Sequence, residues 1–401
     1  MERVISLVGL LTMLLIAWLL SEDRWRMNWR LIASGLLLQV LLGLLLLGTA
    51  AGRMVFDAAR TAITQVLAFS DEGARFVFGS DFQDHLVAFS VLPTIIFVSS
   101  LTAILFHLGF LQGVVKLMAR VMVWVMDTSG SESLSASANV FIGMTEAPLV
   151  IRPYLATMTR SELMAMMTGG MATIAGGVMA AYVGLGADAG HLLAASLMSA
   201  PASLVVAKIM VPESERSPTK GVVRVEVSRR DANLIDAACR GASEGLTLAL
   251  NVGAMLIAFI GLVALVNWGL ALLPVVAGEP LSMERVLGWA LSPLAWLMGV
   301  DWSDANAVGM LLGKKTILNE FLAYADLTSM QQQLSPRSFT IATYALCGFA
   351  NFGSVAIMIG GIGSLVPSRR ADIARYGLRA LIAGTLAAFM TACIAGILIH
   401  Q

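Results

Sequence analysis

Two glutamates, Glu146 and Glu320, each occupy a short polar interruption of a chain that is 58% hydrophobic. Thr145 precedes the first and Asn319 the second, and each glutamate is followed at a similar distance by an Arg-Ser pair and a Gly-rich helical segment. A carboxylate inside a bilayer is costly, and such groups mark substrate pathways, ion pathways and proton relays. The repeated spacing therefore predicts one module present twice, with a membrane transport site built from both copies.

The composition indicates an integral membrane protein. Charged residues make up 13% of the 401 residues, against roughly 25% in an ordinary soluble domain. Residues 4–20 and 31–52 carry no charge, and each is long enough, or nearly so, to cross a bilayer that needs about 20 apolar residues. The first segment lacks a small-residue cleavage site, so we expect a retained helix rather than a secretory signal.

Charge and cysteine usage exclude several other classes of protein. The formal net charge is zero, so no nucleic-acid partner is indicated. Cys239, Cys347 and Cys393 are scattered without metal-ligand spacing, so we expect neither a disulfide framework nor a zinc site, and no cofactor.

Further apolar segments predict an all-α membrane protein with about eight transmembrane helices. Besides the first two, these segments are at about 86–110, 162–184, 191–211, 246–273, 339–366 and 378–399. Lys and Arg concentrate in the loop at 208–240, and an excess of these residues in short loops marks the cytoplasmic side. With this loop inside, both termini are expected to face outward.

Two stretches, 131–156 and 301–325, are too broken by polar residues for full spans and predict re-entrant hairpins. Irregular backbone at membrane depth persists only where protein or water satisfies its polar groups, so the hairpin tips should line a cavity. The first hairpin would enter from inside and the second from outside, which predicts inverted repeats.

This organisation divides the chain into five regions. They are N-terminal helices with an interfacial helix at 1–85, a scaffold helix at 86–128, the first repeat at 129–211, a cytoplasmic loop with a second scaffold helix at 212–300, and the second repeat at 301–401.

Each module also carries residues suited to binding. In the first, Asn139 and Thr173 could offer hard oxygen ligands to a small cation such as sodium, although both residue types also cap helix ends. In the second, Glu320, Asn351 and Ser354 bring together acceptors and donors. A carboxylate can accept from two adjacent hydroxyls at once, so this set suits a polyol such as a ribose.

Simpler interpretations exist for the same residues. Either glutamate could form a buried ion pair, with Lys314, Lys315 or Arg152 as the available cations. An aromatic side chain such as Phe349 could cover a sugar ring or only pack between helices. His107 could carry a proton, although a lone histidine near a helix end is more often structural.

At these residues the chain resembles the concentrative nucleoside transporters of the bacterial, eight-helix type. The resemblance covers most of 80–400, and its most specific parts are Ser137–Pro148, Asn319–Phe321 and Cys347–Ser354. It implies a homotrimer in the bacterial inner membrane, where the outward-facing termini expected from the charge distribution would lie in the periplasm. Each protomer would import nucleosides by alternating access, driven by a cation.

The resemblance also implies roles for individual residues. Substrate contacts in the first module are Met144, Thr145, Glu146 and Val178. Substrate contacts in the second module are Glu320, Phe349, Asn351 and Ser354. Sodium is assigned to the side chains of Asn139 and Thr173 and to backbone carbonyls around Ile142, Thr173 and Ile174.

Met144 departs from the family pattern, which commonly has Gln at this position. Loss of a base-reading amide leaves the base preference open, and a modified nucleoside or a related glycoside is an alternative substrate. Proton coupling is an alternative to sodium, because a carboxylate in a dry cavity can titrate near neutral pH. A distant alternative is an intramembrane hydrolase that uses Glu146 and Glu320 as paired carboxylates.

Overall fold

The computed structural model describes residues 2–221, 231–276 and 278–399, apart from the side chains of 83–86. Residues 222–230 of the expected cytoplasmic loop lie outside the described residues. The described chain is helical, with isolated bridges as its only β-type pairing.

The α-helices follow one another along the whole described chain. They are α1 Glu2–Leu19, α2 Trp29–Gly48, α3 Ala50–Phe78, α4 Leu92–His107, α5 Phe110–Met126, α6 Gly130–Ala138, α7 Ala147–Val150, α8 Arg160–Ala172, α9 Gly176–Gly184, α10 Ala189–Met210, α11 Leu234–Leu270, α12 Met283–Leu297, α13 Trp302–Ile317, α14 Glu320–Ser329, α15 Pro336–Leu346, α16 Phe352–Leu365 and α17 Arg370–Leu398. A 3₁₀ turn at Ser80–His85 and a π-helical turn at Leu86–Val91 lead into α4, and further 3₁₀ turns cover Arg152–Tyr154 and Pro367–Arg369.

Seven helical segments of the described chain are long and apolar enough to cross a membrane. They match seven of the eight predicted crossings, and the eighth, at 339–366, consists of the two shorter helices α15 and α16. The crossing predicted at 162–184 is also broken, into α8 and α9. The predicted class, an all-helical multi-pass membrane protein, is confirmed.

The two modules share one order of elements. In each, a helical hairpin, α6 with α7 or α13 with α14, precedes a broken helix, α8 with α9 or α15 with α16. Their opposite orientation across the membrane stays a prediction.

Local sequence explains where the hairpins and broken helices begin. α6 starts with a capping box between Ser129 and Glu132, and α8 with a second one between Thr159 and Glu162. Each box satisfies backbone N–H groups that a helix start leaves without partners. Lys208 of α10 lies 2.7 Å from the Glu132 carboxylate. The same ammonium donates to Ser161 Oγ at 3.0 Å, so the base of the first hairpin, α8 and α10 are held together.

A small-residue motif fixes the contact between α4 and α11. Gly241 and Gly245 both lie against α4. A Cβ added to Gly241 would lie 2.7 Å from Ser99 O, and one added to Gly245 would lie 2.8 Å from Ile96 Cα. Glycines spaced in this way let two membrane helices approach backbone to backbone. α4 and α11 thereby form one wall that faces the two modules.

Burial differs sharply among the spans. The most apolar windows of α8–α9 and of α10 are 89% buried, whereas that of α11 is only 11% buried. α8 and α10 therefore form the core, and α11 presents a largely apolar surface to its surroundings.

Candidate functional site

The breaks in the two modules meet each other. The Phe349 N–H, between α15 and α16, donates to Thr173 O, between α8 and α9, at 3.3 Å. Gly348 beside it has φ +148°, and a Cβ there would lie 2.8 Å from Met171 O and 3.0 Å from Ala172 C. Only glycine fits this crossing, because any side chain would strain the backbone and displace the facing chain.

We therefore expect Gly348→Ala to destabilise the protein. The strained conformation alone costs about 1–3 kcal/mol, and the backbone overlap adds to it, so the thermal unfolding midpoint of the purified protein should fall. Gly360→Ala in α16 is the matched control, since its added methyl meets nothing within 4 Å. Equal effects of the two substitutions on the unfolding midpoint would contradict the crossing.

Glu320 is held at the start of α14 by donors from both modules. Tyr182 Oη, on α9, donates to Oε1 at 2.8 Å, and Asn351 Nδ2 donates to Oε2 at 2.9 Å. The oxygen and nitrogen of the Asn351 amide cannot exchange places without the loss of a hydrogen bond, because Oδ1 accepts from the Ser354 N–H at 2.8 Å. Asn319 caps the helix that carries the glutamate, through its Oδ1 and the Leu322 N–H. The site thus presents a carboxylate that accepts one hydrogen bond on each oxygen.

The alternative of a buried ion pair at Glu320 is wrong for the two neighbouring lysines. Lys314 pairs with Asp326, and Lys315 Nζ donates to Ala345 O, near the end of α15, at 2.9 Å. Among the described residues Glu320 has no direct ion pair, so its carboxylate depends on neutral donors.

Asn139 and Thr173 come together at the ends of α6 and α8. They occupy the C-terminal cap positions of these helices, so the capping interpretation holds for their backbone positions. Thr173 Oγ1 donates to Gly169 O at 2.9 Å, and a Cβ at Gly169 would lie 3.6 Å from Asn139 Nδ2. Two helix C-termini, where backbone carbonyls lack partners and cations are favoured, therefore meet here.

One atom at this junction is left without a hydrogen bond. Asn139 Nδ2 donates to Ser135 O at 2.9 Å, but the buried Oδ1 has no hydrogen-bond partner among the described residues. An orphaned buried oxygen is costly unless it binds water or an ion. The described residues contain no group of three His, Cys, Asp or Glu side chains that could hold a metal. The available ligands are neutral oxygens, which fit sodium.

A backbone hydrogen bond joins the tip of the first hairpin to the broken helix. The Gly176 N–H at the start of α9 donates to Phe141 O at 3.0 Å. Ile142 and Ile174, the other two residues assigned to sodium, are both buried. The residues from Asn139 to Glu146 therefore connect the oxygen-rich junction with the hairpin tip in one short segment.

All eight residues predicted to contact substrate line one cavity of about 590 Å³. They are Met144, Thr145, Glu146, Val178, Glu320, Phe349, Asn351 and Ser354. Of the sodium set, Ile142 lines this cavity, whereas Asn139, Thr173 and Ile174 are not part of its lining. The structure brings the predicted substrate residues of both modules together.

The cavity extends along α4 and α11 to a charged end. His107 lies there, 4.0 Å from Asp231, and Arg240 forms an ion pair with Asp231 at 2.7 Å. Asp231 and Arg240 belong to the stretch 208–240, which the charge distribution predicts to be cytoplasmic.

Sequence reasoning missed Tyr182, which also lines the cavity. Its position four residues after Val178 on α9 is a signal that could have found it, since residues so spaced share one helix face.

A multi-pass helical protein in which two hairpins and two broken helices bring a few polar side chains into one cavity has the architecture of a secondary transporter. Comparison with known families agrees. Residues 8–81 and 191–396 match the N- and C-terminal parts of the Na⁺ dependent nucleoside transporters, and 88–189 match a segment described as nucleoside recognition. The chain belongs to the Na⁺ dependent nucleoside transporter family.

Its relatives include animal and bacterial proteins. The chain is 44% identical to mouse solute carrier family 28 member 3 over 99% of its own length and 59% of that protein. It is also 44% identical to the uncharacterized transporter YutK of Bacillus subtilis, over 98% of this chain and 99% of that one. The chain spans about three fifths of the length of the mouse and human solute carrier family 28 member 3 proteins.

Solved structures of CNTnw share the whole fold. The inward-facing, substrate-bound state is 42% identical, with a TM-score of 0.93 over 99% of this chain and 98% of that one. A variant of CNTnw in an outward-facing state is 40% identical, with a TM-score of 0.94 over 99% of both chains. This family consists of transporters, which contradicts the alternative of an intramembrane hydrolase.

Proposed function

We propose that this protein imports nucleosides together with sodium by alternating access. The observation that carries the proposal is the carboxylate of Glu320, which is buried in a cavity shared by both modules and oriented by donors from Tyr182 and Asn351. Membership of the sodium-dependent nucleoside transporter family supports both the substrate class and the ion. CNTnw in inward- and outward-facing states supports the mechanism.

In this proposal Glu320 holds the ribose. Each carboxylate oxygen has two lone pairs and uses one for a protein donor, so one on each oxygen is left for a vicinal hydroxyl. Asn351 and Ser354 assist at the sugar, and Phe349 covers the ligand. The residues near the base are Met144, Thr145, Glu146 and Val178.

Sodium would bind at the junction of α6 and α8. The Asn139 and Thr173 side chains and carbonyls around Ile142, Thr173 and Ile174 supply neutral oxygens. The buried Asn139 Oδ1, which accepts no hydrogen bond from any described residue, supports this assignment. Asn139 and the substrate contacts Thr145 and Glu146 belong to the same hairpin tip. Ordering of the tip by one ligand would favour the other, and this coupling must be reciprocal in binding free energy.

The molecule would work as a homotrimer in the bacterial inner membrane, with both termini in the periplasm. The exposed apolar face of α11 supports an interface with other copies or with lipid. The cavity reaches Asp231 and Arg240, beside the predicted cytoplasmic loop, which is the arrangement of a carrier open to the inside.

The test is uptake of labelled uridine and adenosine into proteoliposomes under an imposed sodium gradient or, separately, a proton gradient. Accumulation driven by sodium supports the proposal. Accumulation driven only by protons would contradict sodium coupling and would make Glu146 and Glu320 the candidate proton carriers. Failure of folded protein to accumulate either nucleoside would contradict the substrate class.

Met144→Gln is expected to change the base preference. The new amide can donate to and accept from a polar base edge, so the ratio of uridine to adenosine affinity should shift by about 1–3 kcal/mol, or about 5- to 150-fold. Competition between the two nucleosides in the uptake assay measures this ratio. Met144→Leu, which adds no polar group, should keep the original ratio, and an unchanged ratio in the Gln variant would remove Met144 from base recognition.

A further inference from the structure

Tyr182 is an unassigned side chain at the centre of the candidate site. It lies on α9 of the first module, is fully buried, and lines the cavity. Its hydroxyl donates to Glu320 Oε1 at 2.8 Å across 138 residues of sequence. This hydrogen bond directly connects the first module to the glutamate of the second.

The tyrosine ring is itself held by the second hairpin. It stacks on Tyr324 with ring centroids 4.5 Å apart and an angle of 26°, and it lies against Phe321 with centroids 6.1 Å apart. Tyr324 Oη donates in turn to Thr343 O of α15 at 2.6 Å. Stacking and this hydrogen bond leave the Tyr182 ring little freedom, so the direction of its O–H is fixed by the fold.

Two donors then fix the plane of the Glu320 carboxylate. Tyr182 occupies one lone pair on Oε1, and Asn351 occupies one on Oε2 at 2.9 Å. A carboxyl group on a single flexible torsion turns freely when only one oxygen is held, since χ3 of glutamate is broad. With both oxygens held, the two remaining lone pairs keep a constant spacing and direction.

We propose that Tyr182 is a positioning residue that makes Glu320 selective for a vicinal diol. It aims the carboxylate so that both oxygens accept from neighbouring hydroxyls of the same sugar. The selected chemical class is a ribonucleoside with both ring hydroxyls free, in preference to a deoxynucleoside that lacks one of them. This inference rests on the proposed nucleoside function and on the ribose-holding role of Glu320.

The test is Tyr182→Phe, which keeps the stacked ring and removes only the hydroxyl. Binding of adenosine and of 3′-deoxyadenosine to purified protein is measured by calorimetry in sodium. Adenosine should bind about tenfold more weakly to the variant, as expected for loss of one hydrogen bond to a charged group. 3′-Deoxyadenosine, which cannot use both oxygens, should lose much less, so the affinity ratio of the two ligands should fall.

Tyr344→Phe is the matched control. Tyr344 is equally buried, but its hydroxyl lies 3.1 Å from His191 Nδ1 rather than at Glu320, so the ratio should stay at the wild-type value. Should Tyr182→Phe fail to fold, Tyr182→Met is measured in the same way, because its side chain occupies the space of the ring without a hydroxyl that can donate to Glu320.

The ratio separates positioning from a structural role, because general damage to the site weakens both ligands alike. A variant that binds both ligands more weakly at an unchanged ratio, or that binds both as the wild type does, overturns the inference alone. Wild-type protein that binds adenosine without preference over 3′-deoxyadenosine overturns the ribose role of Glu320. Wild-type protein that binds neither overturns the proposed function and this inference with it.

Discussion

Glu320→Gln is expected to abolish nucleoside uptake while the protein still folds and assembles. The amide has the same shape, but its NH₂ end has no lone pair for a sugar hydroxyl. Asn351 Nδ2 must remain a donor, because its Oδ1 is engaged by the Ser354 N–H. The new amide oxygen would therefore face Asn351 and its NH₂ would face Tyr182, whose hydroxyl can rotate to accept.

The substitution thus keeps the fold, but the side chain no longer has two oxygens that can accept hydrogen bonds from the sugar hydroxyls. Loss of charge-assisted hydrogen bonds to two hydroxyls should cost about 3 kcal/mol or more, which is over about a hundredfold in affinity. Sodium-driven uptake into proteoliposomes measures the effect, and size-exclusion chromatography reports assembly.

Asp326→Asn is the matched control for this experiment. Asp326 lies on the same helix, α14, but pairs with Lys314 and is not part of the cavity lining. It should retain most of the uptake. Normal uptake by the Glu320→Gln variant would contradict the role of Glu320 in binding the ribose.

Asn139→Ala is expected to weaken sodium dependence strongly. The substitution removes the buried Oδ1 that has no hydrogen-bond partner in the described part of the chain. The sodium concentration for half-maximal uptake should rise about tenfold or more, as for loss of one ligand interaction worth at least about 1.4 kcal/mol. At low sodium the nucleoside affinity should fall as well, because the two binding events are reciprocally coupled. Saturating sodium should restore it.

A second readout separates ion binding from folding. Sodium that binds only the folded state stabilises it more as its concentration rises above the dissociation constant, so sodium should raise the unfolding midpoint of the wild type and raise that of the weaker-binding Asn139→Ala variant much less. Gln39→Ala is the control. Gln39 is also a buried amide whose Oε1 has no hydrogen-bond partner within the described ranges, but it lies on α2 and its Nε2 donates to Thr391 of α17. It should change the midpoint without changing its sodium dependence, and an equal sodium response of wild type and Asn139→Ala would exclude Asn139 as a ligand.

Much of the architecture could be predicted from the sequence. A bilayer requires about 20 apolar residues per crossing, so uncharged segments such as 31–52 identify spans directly. Polar interruptions around Glu146 and Glu320 stand out against that background for the same reason. The motifs from Ser137 to Pro148 and from Cys347 to Ser354 led to the family, which the comparisons then confirmed. The roles assigned to individual residues of these motifs stay predictions.

Other features followed from distances that no linear pattern contains. Two apolar segments, at 162–184 and 339–366, read as continuous helices, yet each is broken where it meets the other. At this crossing Gly348 approaches the facing segment of the same chain so closely that an added Cβ would lie 2.8 Å from Met171 O, a contact that the linear sequence does not show. Lys314 and Lys315 were equivalent candidates for a partner of Glu320, and only packing assigned one to Asp326 and the other to the end of α15.

The sequence by itself determined that this is a multi-pass membrane protein, and it predicted a site at the two polar interruptions, because the bilayer makes every buried charge and every apolar run conspicuous. The tertiary structure alone decided how that site is held. Tyr182 shares a helix face with Val178, but only folding brings its hydroxyl to Glu320. Asn139 is a candidate cation ligand by residue type, but only burial leaves its Oδ1 without a hydrogen-bond partner among the described residues. Burial and hydrogen bonding across long sequence separations are properties of the packed molecule, so no local pattern encodes them.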